Sequence, residues 1–343
     1  MFKEKNIVLT INPGSTTTKV KVFLHEDASV LYEGKLQDTN SFRSFLRQLE
    51  DANELVFGIR VVHGGEQDET VQITEEVISQ IEKYTLFAPI HNTLALKRIR
   101  DIRELFPRKK IYAIFDTRFH TTIPRENRTY LINREIRDRF HLRKYGFHGI
   151  ALQSVVKKVG EQCEERGKAF PEKLVVAHLG GGCSITAIRN GKSFATTMEL
   201  TPVSGIPMIT RAGSVDPGVY PTLAAHGFSI EEIYRILNEE SGFYGVLGSK
   251  DTKAIFERVE NGDEESILAF RVFISEIVQR ISAYAGLMEG LDALVFSGGI
   301  GFGNAYLRAS VLEKLSFFSL NNESIYTIDV DEGEIMFEEI VNQ

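Results

Sequence analysis

Asn12-Pro13-Gly14-Ser15-Thr16-Thr17-Thr18-Lys19 is the stretch that decides the fold of this chain. An alternating apolar run, Ile7, Leu9 and Ile11, leads into it, and a second, Val20, Val22 and Leu24, leads out. Alternation of this kind predicts strand, turn, strand. Pro13-Gly14 supplies the turn, since Pro fixes φ and Gly accepts φ > 0. Four hydroxyls and one Lys then crowd the hairpin tip, more hydrogen-bonding capacity than a turn requires. Backbone N–H groups, hydroxyls and an ammonium together suit a phosphate or a magnesium-bound phosphate. A solvated Ser/Thr-rich turn is the alternative reading of this stretch alone.

A second copy favours the phosphate. Leu174 to His178 runs into Leu179-Gly180-Gly181-Gly182-Cys183-Ser184, then Ile185 to Ile188, then Asn190-Gly191, a strong hairpin signal. Strand, glycine-rich turn and strand therefore occur in each half of the chain. Two such hairpins facing each other across a cleft would hold a nucleotide phosphate tail.

At 343 residues the chain has room for two domains, and a formal charge of −7 argues against nucleic acid as a main ligand. Cys163 and Cys183 have no paired spacing, which argues against a disulfide framework or a cysteine-based zinc site. No apolar run approaches the roughly 20 residues that span a bilayer, and no apolar signal core follows the charged start. A cytoplasmic protein without membrane attachment is expected.

Further along, helices are expected over 40–52 with Ser41 as cap, 74–84, 93–105, 150–159, 230–238 and 265–287. Leu55 to Ile59 reads as a buried strand delivering Arg60-Val61-Val62-His63-Gly64-Gly65, and Ile111 to Phe115 as one ending in Asp116. A basic residue, or an acid, at the exit of an apolar strand is a common ligand or catalytic placement in α/β proteins. Ala88-Pro89-Ile90-His91-Asn92 reads as a loop before its helix. Leu291 to Phe296 is a buried strand running into Ser297 to Asn304. The polar loop Thr210 to Gly218 is dense enough to be functional. Two common nucleotide motifs fail: Gly191-Lys192-Ser193 has Thr186 where a P-loop needs glycine, and Gly299-Ile300-Gly301 has Asn304 where a dinucleotide fingerprint needs its third glycine.

Taken together, NPGSTTTK, RVVHGG, APIHN, FDTRFHTTIP, KYGFHG, HLGGGCS, TP with TRAGSVDPG, and GGIG follow one another in an order that resembles the acetate kinases, short-chain acyl kinases of the actin-like ATPase superfamily. The resemblance covers nearly the whole chain. It implies an α/β, two-domain actin-like ATPase (ribonuclease H-like) fold with duplicated strand-rich units and a nucleotide cleft between domains. The expected acyl/phosphate domain is 1–116 plus 335–343, and the nucleotide-binding and dimerisation domain 117–334. The implied activity is reversible, ATP-dependent phosphorylation of acetate to acetyl phosphate. Propionate or butyrate kinase activity and a non-catalytic nucleotide-binding relative are the alternatives. Mg2+ (or Mn2+) and ATP/ADP are implied, as is a homodimer built on the long apolar helix 265–287.

The resemblance also implies roles. Arg60 would hold the acyl carboxylate and Arg211 the phosphoryl group. Asp116 would orient or deprotonate the attacking carboxylate, and His148 and His91 would serve the phosphoryl oxygens. Val62, Ile90, Phe147 and Pro202 would line an apolar acyl slot. Lys19, His178, Leu179, Gly180, Gly181, Gly182, Gly299, Ile300, Gly301, Phe302 and Gly303 would cradle the nucleotide phosphates, and Asp251, Thr252 and Lys253 would meet the adenosine. Asn12, with Glu332 or Glu334, would approach the metal. His63 is read as structural, while His120 and His178 remain open as strand-end hydrogen-bonders. The chain departs from the family pattern at Gly181, at Phe302-Gly303, at Ile59 and at Leu152.

Overall fold

The structure is a computed structural model that describes residues 2–14 and 17–343. Ser15 and Thr16, two of the hydroxyls expected at the first hairpin tip, lie outside the described residues. The chain forms two compact units, one of Met1–Thr121, Phe147–Ser154 and Asp331–Gln343, the other of Thr122–Gly146 and Val155–Val330. The first unit thus takes in 117–121, 147–154 and 331–334 besides the residues expected from sequence. The start of the helix Gly149–Glu165 belongs to it because the Gly149 N–H donates to the Asp116 carbonyl at 3.0 Å.

In the first unit β1 (Asn6–Pro13), β2 (Thr18–Leu24) and β3 (Val30–Leu36) form an antiparallel meander. β4 (Glu54–Val61) pairs in parallel with β1. A short β5 (Val71–Gln72) pairs antiparallel with β6 (Ile111–Phe115), which is itself parallel to β4. The sheet order is β3-β2-β1-β4-β6-β5. Strand alternation sends Ile7, Leu9, Ile11, Val20, Val22, Phe57, Ile59, Ala113 and Phe115 to one face, where helices Thr39–Arg47 and Pro89–Leu105 cover them. Val8, Phe23, Tyr112 and Ile114 point to the other face, against Ile150 and the helix Glu332–Val341.

Two local expectations need correction. The helix Thr39–Arg47 is capped by Asp38, not Ser41; Ser41 sits three residues on and completes the capping box by accepting the Asp38 N–H. The segment Ala88–Asn92 is not a loop: the helix starts at Pro89, with the Asn92 N–H already donating to the Ala88 carbonyl at 2.9 Å. Pro is favoured at the first helical position, where its missing N–H would have no intrahelical partner.

The second unit repeats the pattern. β7 (Lys173–Leu179), β8 (Cys183–Arg189) and β9 (Lys192–Thr196) are an antiparallel meander. Asn190 and Gly191 make the second turn with φ of 51° and 72°, the left-handed pair that a tight hairpin requires. β10 (Ala293–Ser297) pairs in parallel with β7, and β11 (Ile325–Ile328) with β10. The order β9-β8-β7-β10-β11 is that of β3-β2-β1-β4-β6, so the duplication read from the glycine-rich turns extends to five strands of each sheet, with β5 as the first sheet's addition. The helix Glu264–Leu287 lies against β7 and β8 and buries Phe270, Phe273, Ile274, Ile277 and Ile281.

Candidate active site

β1, β4 and β6 run parallel as neighbours, so their carboxyl ends lie side by side and bring Asn12, Arg60 and Asp116 together. Arg60 donates from Nε to both Asp116 oxygens, at 3.0 and 3.1 Å, and from Nη2 to Oδ2 at 2.5 Å. Its Nη1 reaches Asn12 Oδ1 at 3.0 Å and Glu332 Oε1 at 3.2 Å. The Asn12 amide completes the ring, donating to Glu332 Oε2 at 2.5 Å. Of the two candidate glutamates, Glu332 is thus the one that reaches Asn12; Glu334 is two residues on, and its backbone N–H is capped by Asp331. Lys19 is exposed, directly across the hairpin from Asn12.

The Asp116 side chain is wholly buried. Burial pushes its carboxyl above the ordinary carboxylate range, against the pull of Arg60 and of a hydrogen bond from the His148 backbone. Burial works against charge on Arg60 as well, but the carboxylates of Asp116 and Glu332 outweigh it and hold the guanidinium protonated. The segment carrying His148 is fitted tightly to Asp116. His148 itself has φ of 61°, a left-handed conformation uncommon for a non-glycine residue. At Gly149 a Cβ would collide with the Asp116 carbonyl oxygen. His120 Nε2 lies 2.7 Å from the Phe147 carbonyl, which can only accept, so Nε2 carries the proton. Burial lowers the His120 pKa to about 4, leaving a neutral ring.

Val62 and Phe147 are buried, and Ile90 and His91 stand half-buried in the first turn of the helix Pro89–Leu105. His63 is fully buried, stacked on Tyr84 with ring centroids 5.1 Å apart and edge-on to Phe147. Its Nδ1 accepts the Gly65 N–H at 3.2 Å. Asn92, which sequence reasoning passed over beside His91, fixes this strand end: it accepts the His63 N–H and donates to the His63 carbonyl, both at 3.0 Å.

The second unit brings the two glycine-rich runs together. In the turn after β7 the Gly180 N–H donates to the Gly182 carbonyl at 3.0 Å. The run after β10 is the short helix Gly298–Gly303, and a Cβ on Gly180 would stand only 3.7 Å from the Gly299 nitrogen. Gly298 has φ of 75° and no room for a side chain against the Leu179 backbone. His178 Nδ1 is 3.1 Å from Ser297 Oγ, a link between the two strand ends. Leu179, Ile300 and Gly301 are buried, whereas Gly181, Gly299, Phe302 and Gly303 are exposed. Arg211 donates to the Pro202 carbonyl at 3.0 Å. Asp251 caps the helix Thr252–Glu260 through the N–H groups of Lys253 and Ala254, which gives this segment a structural use. Burial pushes the Cys183 thiol up to about 12, so it is no nucleophile.

A profile of the Acetokinase family matches residues 40–337. The chain is 35% identical to acetate kinase 2 of Listeria monocytogenes, over 91% of this chain and 87% of that protein. It is 40% identical to the acetate kinase of Macrococcus caseolyticus, over 79% and 69%. Among solved structures it superposes on a propionate kinase from Francisella tularensis with a TM-score of 0.88 at 28% identity, covering 97% of this chain and 98% of that one. For the acetate kinase of Porphyromonas gingivalis the values are 0.84 and 29%, covering 98% and 99%.

Proposed function

The chain belongs to the Acetokinase family, and on that premise we propose that it is an acetate kinase, transferring the γ-phosphoryl group of ATP reversibly to acetate. The observation that carries the residue-level reading is that Arg60 joins the buried Asp116, Asn12 and Glu332, where three parallel strand ends meet the start of the last helix.

A short-chain carboxylate, like a Glu side chain of pKa about 4.3, is already ionised at neutral pH. The nucleophile therefore needs orientation and a neutralised approach to an anionic phosphate, not a base. Arg60 supplies the positive charge, and the Asp116 carboxylate it grips fixes the guanidinium plane. As an acetate oxygen bonds to the γ-phosphorus, the bond from phosphorus to the bridging oxygen breaks and its electron pair leaves with ADP. Charge accumulates on the phosphoryl oxygens, and electrostatic stabilisation is the role assigned to His148 and His91 in the first unit and to Arg211 in the second. The backbone N–H groups of 180–182 and 298–303 are the second unit's candidates for the nucleotide phosphates, and Lys19 is the first unit's candidate cation.

Among the described residues no three His, Cys, Asp or Glu side chains form a metal cage. Magnesium is commonly held by one or two carboxylates together with substrate phosphates and water. The oxygens of Asn12 and Glu332 fit that pattern, and they would hold Mg2+ or Mn2+. When bound, the ion supplies charge neutralisation on the nucleotide phosphates.

The first unit is the acyl and phosphoryl unit, and the second the nucleotide and dimerisation unit. Leu268, Val272 and Leu287 on the helix Glu264–Leu287 are exposed apolar side chains suited to a homodimer contact. Among the described residues no helix is long and apolar enough to cross a membrane, and ATP and acetate as substrates suit a cytoplasmic enzyme. Propionate is the second substrate to consider, since a propionate kinase superposes closely. Trapping the acyl phosphate as its hydroxamate, with ATP, magnesium and acetate, propionate or butyrate in turn, tests the assignment. Product with acetate is expected, and no product with any of the three would overturn it.

A further inference from the structure

We propose that Lys21, in β2, is a positioning residue for Glu332, an inference whose catalytic consequence rests on the reading above. The Lys21 side chain is only 14% exposed, and its ammonium lies 2.5 Å from Asp331 Oδ2. Glu33, the other carboxylate within reach, is farther at 3.5 Å and largely exposed. Asp331 immediately precedes Glu332 and is fixed from three directions. One oxygen meets Lys21, the other accepts the Glu334 N–H at 2.9 Å as helix cap, and its own N–H donates to Ser154 Oγ at 3.0 Å. Gly333 immediately follows Glu332, and a Cβ there would stand 3.0 Å from Lys21 Cδ and 3.4 Å from Lys21 Cβ.

One side chain therefore acts on both sides of Glu332, gripping the residue before it by charge and filling the space that a side chain on the residue after it would need. Between those two contacts the Glu332 carboxylate reaches Asn12 and Arg60. Glu332 comes from the helix Glu332–Val341, whereas Asn12 and Lys21 lie in β1 and β2 of one hairpin, with Lys21 directly opposite Thr10. Lys21 thus ties the first turn of that helix to the hairpin that supplies its partner.

The test is a double-mutant cycle of Lys21→Met with Glu332→Gln, read by kcat/KM in the hydroxamate assay. Hydrogen exchange at the amides of 333–336, measured without substrate, is the second readout. Lys21→Met alone should lower kcat/KM about tenfold, as is usual when a support of a binding group is removed. In the Glu332→Gln background it should lower it by less than threefold. The same amides should exchange about tenfold faster in Lys21→Met. Asp331→Asn, which keeps the helix cap but not the charge, should reproduce both effects. Equal losses in the two backgrounds, or unchanged exchange, would overturn the proposal. If wild-type protein made no acyl phosphate, the functional reading would fail while the exchange measurement still decided whether Lys21 holds this turn.

Discussion

The guanidinium of Arg60 grips the carboxylate of Asp116 at 2.5 Å, and the Asp116 side chain has no exposure to solvent. Truncating Arg60 would remove the main counter-charge from a buried carboxylate. Breaking such a pair from one side typically costs about 3–5 kcal/mol. Arg60→Ala should therefore lose both turnover and stability in urea unfolding, and Arg60→Ala with Asp116→Asn should regain most of the stability but none of the turnover. A single mutant as stable as wild type would show that the pair contributes nothing to the fold.

Two glycines of one helix should respond oppositely to alanine. At Gly160 a Cβ meets nothing within 4 Å, so Gly160→Ala should gain up to about 1 kcal/mol from helix propensity. At Gly149 it strikes the Asp116 carbonyl. Gly149→Ala should lose roughly 1–3 kcal/mol by overpacking and lower kcat by displacing His148. Thermal unfolding of the two variants checks the signs, and similar midpoints would contradict the contact.

His120 titrates at about 4 in the folded chain against a reference of 6.5. Between those values the unfolded chain binds the proton and the folded chain does not. Stability should therefore fall as pH drops from 6.5 towards 4, by at most roughly 3 kcal/mol from this group. His120→Gln should flatten that part of the stability profile. A slope unchanged by the substitution would assign the acid sensitivity to other groups.

Val62 is 6% exposed and β-branched, immediately after the strand that carries Arg60. If it closes the acyl slot, a methyl group fits and a longer tail meets it. An extra methylene that fits gains about 0.8 kcal/mol, and one that does not costs about 1–3 kcal/mol. Acetate and propionate should be used within roughly tenfold of each other, with butyrate poor. Val62→Ala should raise kcat/KM for propionate and butyrate relative to acetate. An unchanged ranking would remove Val62 from the slot.

The strands were legible because alternation is a property of near neighbours. Ile7 to Ile11 and Val20 to Leu24 show it; Ile111 to Phe115 was legible instead as a short run apolar throughout, buried on both faces, and Asp116 follows it as the sequence suggests. The duplicated glycine turns announced two related sheets before any topology was known. What stayed hidden depends on distant residues. Nothing local to Asn12 reveals that its amide meets Glu332, 320 positions away. Nor does Lys21 advertise its bond to Asp331, because a lysine in a strand reads as solvated surface. His120 is open in the sequence as a strand-end hydrogen-bonder; it lies in a short helical turn, Arg118–Thr122, beyond β6 and meets the Phe147 carbonyl, 27 positions on. Asn92 was missed because its partners are backbone atoms of His63, which leave no trace in composition.

The helix Glu332–Val341 covers the face of the first sheet formed by Val8, Phe23, Tyr112 and Ile114, with Ile335, Met336, Phe337 and Ile340. All six strands of that sheet have left the ribosome some two hundred residues before those four side chains are made. At about 5–20 residues per second the nascent sheet waits on the order of ten seconds or more for the four side chains that, with Ile150, cover this apolar face. A chaperone that shields it during synthesis should therefore matter more for yield than for the stability of the finished protein.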